Sequence, residues 1–428
     1  MSAPASPPDR ADVVVVGAGL AGLNAARELR GTGLAVVVLE GAREVGGRVS
    51  TDIVDGRLLD RGFQLYNPAY PEGARVLDYD RLALRPFAPG VRVLRRRGTS
   101  VIADPRHRLA ESWGLVRGIP GGPLAGARFA RYLAACGYLD AARIKARPDA
   151  QIGQTLDSAV RSPELMESLV RPFLAGVFGD WELTTSRHYA DLVLRSFARG
   201  TPSLPAQGMS EIPRSMAAGL GSGVVHCGVP VAAVTPTEVH HEGGTIAARQ
   251  VIVATDGAAA ADLVPGVPLP AFNALTTWYF LAGEGDLGPA ADFLMIDGDR
   301  RGILANIAAV SAVAPGYSRS GELLIAATAV GRHAQDTLAR EHLSRALGAG
   351  AGRWPMLARY EIPRALPAFP VGAPLRGRQD FDGILVAGDH RDTPSIQGAL
   401  VSGRRAARTA MARLGVGRSS RSLRASLD

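Results

Sequence analysis

Lysine is almost missing from this chain. Lys145 is the only one, and the remaining basic residues are arginine, so chemistry built on a lysine ammonium or Schiff base has one position to draw on. Cysteine is nearly as scarce. Cys136 and Cys227 are too few and too isolated for a disulfide framework or a cysteine metal cluster, which fits a reducing cytoplasm. No apolar run reaches the roughly 20 residues that a membrane-spanning helix needs, and the polar, proline-rich opening Met1 to Arg10 does not read as a secretory signal. The net charge is +8, but the arginines are scattered rather than clustered, so they are expected to form a solvated surface and not a nucleic-acid interface. There are no internal repeats, and no histidine has the partner spacing of a metal site.

What is present is apolar bulk and glycine. With 428 residues and 46% apolar content there is material for two packed cores. Val13 to Val16 form a β-branched run ending at Gly17; Leu20, Leu23, Ala26 and Leu29 then keep helical spacing to Arg30, and Ala35 to Leu39 form a second buried strand. This is a βαβ unit. Its turn, Gly17-Ala18-Gly19-Leu20-Ala21-Gly22, has the G-x-G-x-x-G spacing of a dinucleotide site. Gly17 permits the tight turn, Gly19 lets the backbone approach a pyrophosphate, Gly22 lets helix pack on strand, and the helix N-terminus offers free N–H groups to phosphate.

Glu40 ends the second strand, where its carboxylate can accept from both ribose hydroxyls and would repel a 2′-phosphate. To this point NAD and FAD fit equally. After Glu40-Gly41 comes Gly46-Gly47-Arg48, a loop able to approach the cofactor closely with a guanidinium for a phosphate oxygen, and this favours FAD. Near the other end, a strand Gly383 to Ala387 runs into Gly388-Asp389, and a helix begins at Ser395-Ile396-Gln397-Gly398-Ala399. Asp389 can bond a ribityl hydroxyl, and the helix N-terminus can stabilise negative charge on a reduced flavin. His390, Arg391 and Asp392 could face the flavin or its phosphates, but a charged loop of this kind reads first as solvated.

Between these ends, helices are expected at Trp113–Arg117, Ala125–Leu139, Ile152–Val160 and Pro163–Leu169. Strands are expected at Val224-Val225, Val229–Val234, Glu238–His241, Thr245–Ala254, Thr276–Ala282, Gly302–Val310 and Glu322–Ala329, then helices at His333–Leu347 and Ser395–Leu414.

The chain resembles the superfamily of flavin amine oxidases, protoporphyrinogen oxidases and phytoene desaturases. The likeness runs in order through VVVVGAGLAGLNAARELRGTGLAVVVLEGAREVGGRVST, DRGFQLYNPAYPE, PFLAGVFGDWELTTSRH, LPAQGMSEIPRSMAAGL, VIVATD and ILVAGDHRDTPSIQGALVSGRRAA. SLPAQGM, SAVAPGY and RALPAF look most like the bacterial phytoene-desaturase-like oxidoreductases. The resemblance implies an α/β fold: a discontinuous Rossmann-like FAD-binding domain over 10–75, 205–270 and 375–415, and an inserted α+β substrate-binding domain over 76–204 and 271–374. A flexible tail is expected over 416–428. It further implies that Val231 contacts the adenine side of FAD and that Arg61-Gly62-Phe63-Gln64 lie beside the flavin ring.

Two departures stand out. The lysine that amine oxidases of this group hold near the flavin is missing from Leu275-Thr276-Thr277-Trp278-Tyr279-Phe280, and Ala365 to Pro370 has no cysteine to attach FAD, so the cofactor is expected to be noncovalent. No catalytic acid or base is marked, since the flavin carries the difficult step. Tyr66, Tyr279 and Phe369 are the aromatic residues expected in the substrate pocket, with Trp278 and Tyr360 as further candidates, and strand alternation lets only one of Trp278 and Tyr279 face it. The expected reaction is dehydrogenation of a C–C or C–N bond in an apolar small molecule, with dioxygen or a quinone reoxidising the flavin. Amine oxidation, a redox-neutral isomerase and a noncatalytic flavoprotein remain as alternatives. Basic and apolar residues from Arg92 to Arg97 and on through Trp113 to Leu139 suggest peripheral membrane contact by an otherwise cytoplasmic protein.

Overall fold

Four consecutive valines cannot alternate between a wet and a dry face, and the valines of the strand Arg10–Val16 are accordingly buried on both. In the computed structural model, which describes residues 6–96, 98–103 and 119–416, this strand lies between two parallel neighbours. Val36–Glu40 is on one side, with Val13 opposite Val36, and Gly244–Val253 is on the other, with Val16 opposite Val253. The sheet extends outward through Val225–Cys227 at one edge and through Glu238–His241 and Val231–Val234 at the other. Ile384–Val386 joins the C-terminal end of Gly244–Val253 in parallel, so the last part of the chain returns to the sheet that the first part began.

The first helix, Leu20–Leu29, is clamped between this sheet and the last helix, Ile396–Leu414. A Cβ on Gly403 would stand 2.0 Å from the Ala21 carbonyl oxygen, so the two helices approach to backbone contact. Asn24 Nδ2, fully buried, secures the pair by donating to the Leu400 carbonyl at 2.7 Å.

A second sheet has the strand order Met356–Pro367, Phe272–Gly283, Glu322–Val330, Leu304–Ala309, Leu294–Asp297, Gly90–Arg95 and Gly98–Ala103. It is antiparallel except where Leu294–Asp297 meets Gly90–Arg95. Helices Gly122–Tyr138, Ile152–Val160, Arg171–Phe178 and Arg187–Arg199 contribute to a separate apolar cluster beside it.

Several elements differ from the sequence expectation. Pro163–Leu169 is not one helix: a turn at Pro163–Leu165 passes through a π-helical stretch, Met166–Val170, into Arg171–Phe178. The Gly302–Val310 strand ends at Ala309 and turns helical over Val310–Val313. Four strands of the second sheet, and the small pair Thr51–Val54 and Arg57–Asp60, had no sequence reading. Leu294–Asp297, Gly90–Arg95 and Gly98–Ala103 are short, and Gly90–Arg95 carries two arginines, while Met356–Pro367 contains Pro363, which is accommodated because that strand is a sheet edge. The helix expected at Trp113–Arg117, Arg97 of the basic run and the tail from 417 onward lie outside the described residues. Among the described residues no helix is long and apolar enough to cross a membrane.

Candidate active site

A cavity of about 2410 Å³ begins at the first glycine turn and continues to the second sheet. Sites for one small molecule occupy ~300–1,000 Å³, so this volume has room for a dinucleotide and a second molecule together.

The glycine turn is shaped by contacts no side chain could make. Gly17 has φ +104°, and a Cβ there would lie 2.8 Å from the Ala254 carbonyl oxygen. A Cβ on Gly22 would lie 1.9 Å from the Gly17 oxygen, so Gly22 sits beneath the turn rather than on the cavity wall. Gly19 differs from both: its φ is −72°, and a Cβ would meet no protein atom within 4 Å because the cavity is in front of it. Gly19 is also the N-cap of the first helix, with no side chain capping the first-turn N–H groups, and these donors stay free for phosphate. The second loop is stitched to the first by Gly46 N donating to Ala18 O at 2.9 Å.

Glu40 is held by both oxygens. Ala18 N donates to Oε2 at 2.7 Å and Ala42 N donates to Oε1 at 2.9 Å, leaving the remaining lone pairs toward the cavity that Glu40 and Gly41 line. Leu20, Ala21, Gly47 and Val231 line the same end. Sequence reading gave Arg48 to a phosphate and Asp389 to a ribityl hydroxyl; in the structure they engage each other. Arg48 Nη2 donates to Asp389 Oδ1 at 2.6 Å and Nη1 donates to Ala365 O at 3.0 Å, while both residues stay on the cavity wall. Burial alone would lower the Arg48 pKa, but the Asp389 carboxylate outweighs it and keeps the guanidinium charged.

Arg61, Gly62, Phe63 and Gln64 line the next section. Arg61 forms a two-pronged pair with Asp52 at the rim, Gln64 Nε2 donates to the Arg48 carbonyl at 2.7 Å, and Phe63 N donates to Thr277 Oγ1 at 3.2 Å. Gly388, Ser395, Ile396 and Ala399 close this end, with Ser395 Oγ capping the last helix by accepting from Gly398 N. Gln397 is not on the wall: its Oε1 accepts from Glu72 N, tying that helix to Pro71–Val76. An open glycine cradle, uncapped N–H donors, a fixed carboxylate and a charged guanidinium form a donor and acceptor set that fits FAD.

The aromatic residues expected in the substrate pocket are elsewhere. Tyr66 is fully buried in the core under the first sheet, its hydroxyl 2.9 Å from that of Tyr79. Tyr279 shares a strand face with the cavity-lining Leu275 but lies four residues on, buried, donating to the Asp60 carbonyl at 2.8 Å. Trp278 points to the other face and donates to Asp336. Phe369 packs against Tyr189, and Tyr360 donates to Asp52 Oδ2 at 2.9 Å. Each is a large side chain with a core or hydrogen-bonding role that sequence could not separate from pocket lining. The charged run after Gly388 is likewise buried rather than solvated. Both His390 ring nitrogens are buried without a hydrogen-bond partner, Arg391 lies over the Phe381 ring, and Asp392 pairs with Arg405.

The far arm of the cavity comes from residues that sequence did not single out. Gly126, Phe129, Ala130, Leu133 and Gly137 present one face of the helix Gly122–Tyr138 to it, opposite Phe173, Val177 and Phe197. Leu275, Leu294, Asn306, Ile362 and Leu366 supply its floor from the second sheet. The 3–4 spacing of Gly126, Phe129, Leu133 and Gly137 was the signal available; nothing local marks which face of such a helix meets a cavity and which meets a core. Among the described lining residues of this arm the charged one is Arg199, whose Nε donates to the Gly137 carbonyl.

Comparison with known proteins agrees with this architecture. A putrescine oxidase from Kocuria rosea is 49% identical over 67 residues, which span 16% of this chain and 14% of the relative's length. Solved structures match far more of the chain at low identity. A putrescine oxidase bound to putrescine superposes with a TM-score of 0.70 at 19% identity, covering 94% of this chain and 99% of that one. Cyclohexylamine oxidase from Brevibacterium oxydans gives 0.66 at 16% identity, covering 95% and 100%. Residues 20–282 match the model of the flavin containing amine oxidoreductases, well over half of the chain. The chain belongs to that family, and FAD is its cofactor.

Proposed function

We propose that this chain dehydrogenates a C–C or C–N bond of an apolar small molecule, with FAD held noncovalently over Gly17–Gly22, Glu40 and Gly46–Arg48. The observation that carries this reading is the continuity of the cavity from the glycine turn, past Gly62 and Phe63, into an apolar arm. A second unit filled by side chains would suit a flavoprotein without turnover; an arm of this size supports a substrate chamber.

FAD, when bound, supplies the acceptor for the electrons removed from substrate. The protein's own part is to exclude water with Phe129, Leu133, Phe173 and Phe197, and to hold the substrate against the Gly62-Phe63 segment. A cationic amine is disfavoured as substrate, because the described residues of the arm include no carboxylate to pair with an ammonium and Arg199 would oppose it. The stretch where amine oxidases place a lysine offers Thr277 instead, its hydroxyl 2.9 Å from that of Thr328 and accepting from Phe63 N. Dioxygen or a quinone is the proposed reoxidant.

The test is anaerobic mixing of FAD-loaded protein with polyenes, tetrapyrroles and amines. Bleaching of the visible flavin band by an uncharged apolar compound is the expected result; bleaching by amines alone would move the assignment to amine oxidation, and none at all would end the reading.

A further inference from the structure

The apolar arm contains one polar feature that its surroundings do not explain. Asn306, on the strand Leu304–Ala309, lines the cavity, is 5% exposed, and has its Oδ1 buried without a hydrogen-bond partner. Leaving an amide oxygen unpaired in a dry site is costly, because the group gives up its water without gaining a partner. Two other polar liners are satisfied within the protein: Asn67 Oδ1 accepts from Ala69 N, and the Tyr189 hydroxyl donates to the Pro394 carbonyl. The space around Asn306 is preserved by a glycine, since a Cβ on Gly176 would stand 2.4 Å from Asn306 Nδ2.

Its position on the sheet is equally specific. Asn306 is in register with Thr328 on the adjacent strand, and Thr328 with Thr277 on the next. The Thr277 hydroxyl receives the N–H of Phe63, from the segment that borders the cofactor end. Two strand spacings put Asn306 roughly 10 Å from Thr277.

We infer that Asn306 is the polar anchor of the substrate chamber, its side-chain amide hydrogen-bonding a neutral polar group on an otherwise apolar substrate. This rests on the reading of the arm as a substrate chamber, and it narrows the substrate class. The molecule carries a neutral hydrogen-bonding group remote from its reacting bond, which the register of the three strands sets near Phe63. A site built around such an amide discriminates strongly against an isostere without the polar group, because that isostere leaves the amide unpaired.

The probes are 1-octanol and nonane, which differ by exchange of the hydroxyl for a methyl group, titrated calorimetrically into FAD-loaded wild-type, N306L and N306S proteins. Wild type is expected to bind 1-octanol about tenfold more tightly than nonane, and both variants to lose about tenfold on 1-octanol with nonane unchanged or improved. Retained FAD content checks folding, and the smaller N306S keeps the test alive if N306L does not fold. Equal losses on both probes, no loss on either, or no preference in wild type would overturn the assignment. No flavin reduction is read, so a failed dehydrogenation panel and a failed anchor give separate results.

Discussion

Arg48 and Asp389 are 341 residues apart in sequence and 2.6 Å apart in space, joining the loop after the second strand to the loop before the last helix. The pair sits on the cavity wall where the cofactor's polar middle would lie, so it both closes the cradle and presents charge to it. Replacing Arg48 by Ala removes the guanidinium and leaves Asp389 without its partner. FAD affinity should fall by about ten- to a hundredfold, as for loss of a charge-assisted hydrogen bond. The double variant R48A/D389A should be less impaired than the product of the two single losses, because one contact is shared. Titration of apo-protein by quenching of flavin fluorescence measures all three, and full additivity would mean the pair is irrelevant to binding.

Gly19 and Gly22 separate cofactor binding from folding. G22A places a Cβ 1.9 Å from the Gly17 carbonyl oxygen, so it should lower the melting temperature of the apo-protein and abolish FAD uptake together. G19A meets no protein atom and has a φ that alanine adopts freely, so the apo-protein should melt as wild type while FAD affinity collapses. Paired melting curves with and without FAD decide it; a G19A protein that binds FAD normally would remove the glycine turn from the site.

Asp60 is buried under the second sheet, accepting from Thr51 Oγ1, Met209 N and the Tyr317 hydroxyl, and burial pushes its pKa up to about 6 against those bonds. The folded state therefore binds the proton more tightly than the unfolded chain does. The stabilisation is complete below pH ~4 and is lost as pH rises through about 6, a swing of up to roughly 3 kcal/mol. D60N keeps the side-chain shape and removes the titration. Its stability relative to wild type should rise between pH 4 and pH 7 in urea unfolding, and parallel curves for the two proteins would refute the assignment.

His390 works in the opposite sense. Burial lowers its pKa to about 4, with neither ring nitrogen partnered, so the folded state holds it neutral. Its contribution is complete above pH ~6.5 and is lost as pH falls toward 4. Over this window the two groups oppose each other. H390L should expose the Asp60 slope, with stability falling as pH rises, whereas D60N should expose the His390 slope, with stability falling on acidification. Urea midpoints across pH 4 to 7 for both single variants check the signs.

The legible parts of the sequence were those in which a local pattern has one physical meaning. Val13 to Val16 could only be a strand buried on two faces, and the glycine spacing after it could only serve close backbone approach. Glu40 and Gly46-Gly47-Arg48 were placed on the cavity wall by the same reasoning. Sequence could not see that Arg48 would spend its guanidinium on Asp389, since their meeting depends on the return of the chain to the first sheet. Nor could it sort aromatic side chains by role. Tyr66 and Tyr279 have the composition of pocket residues and the environment of core residues, while Phe129, Phe173 and Phe197 are the reverse. Asn306 was invisible for a related reason: it reads as one residue within the expected strand Gly302–Val310, and nothing local says which face of that strand meets a cavity until three strands are set in register.

The contact between Gly403 and Ala21 carries a consequence for how the protein comes into being. The glycine turn is synthesised well before its covering helix, the Asp389 carboxylate and the strand Ile384–Val386. Contacts of such long sequence separation form slowly, because the loop must be closed before any bond rewards it. The strand Arg10–Val16 and the helix Leu20–Leu29 therefore wait with one wall missing until those residues are made, and cofactor capture becomes a step that follows this closure. Free flavin supplied during refolding should then raise the yield of folded protein more than flavin added afterwards.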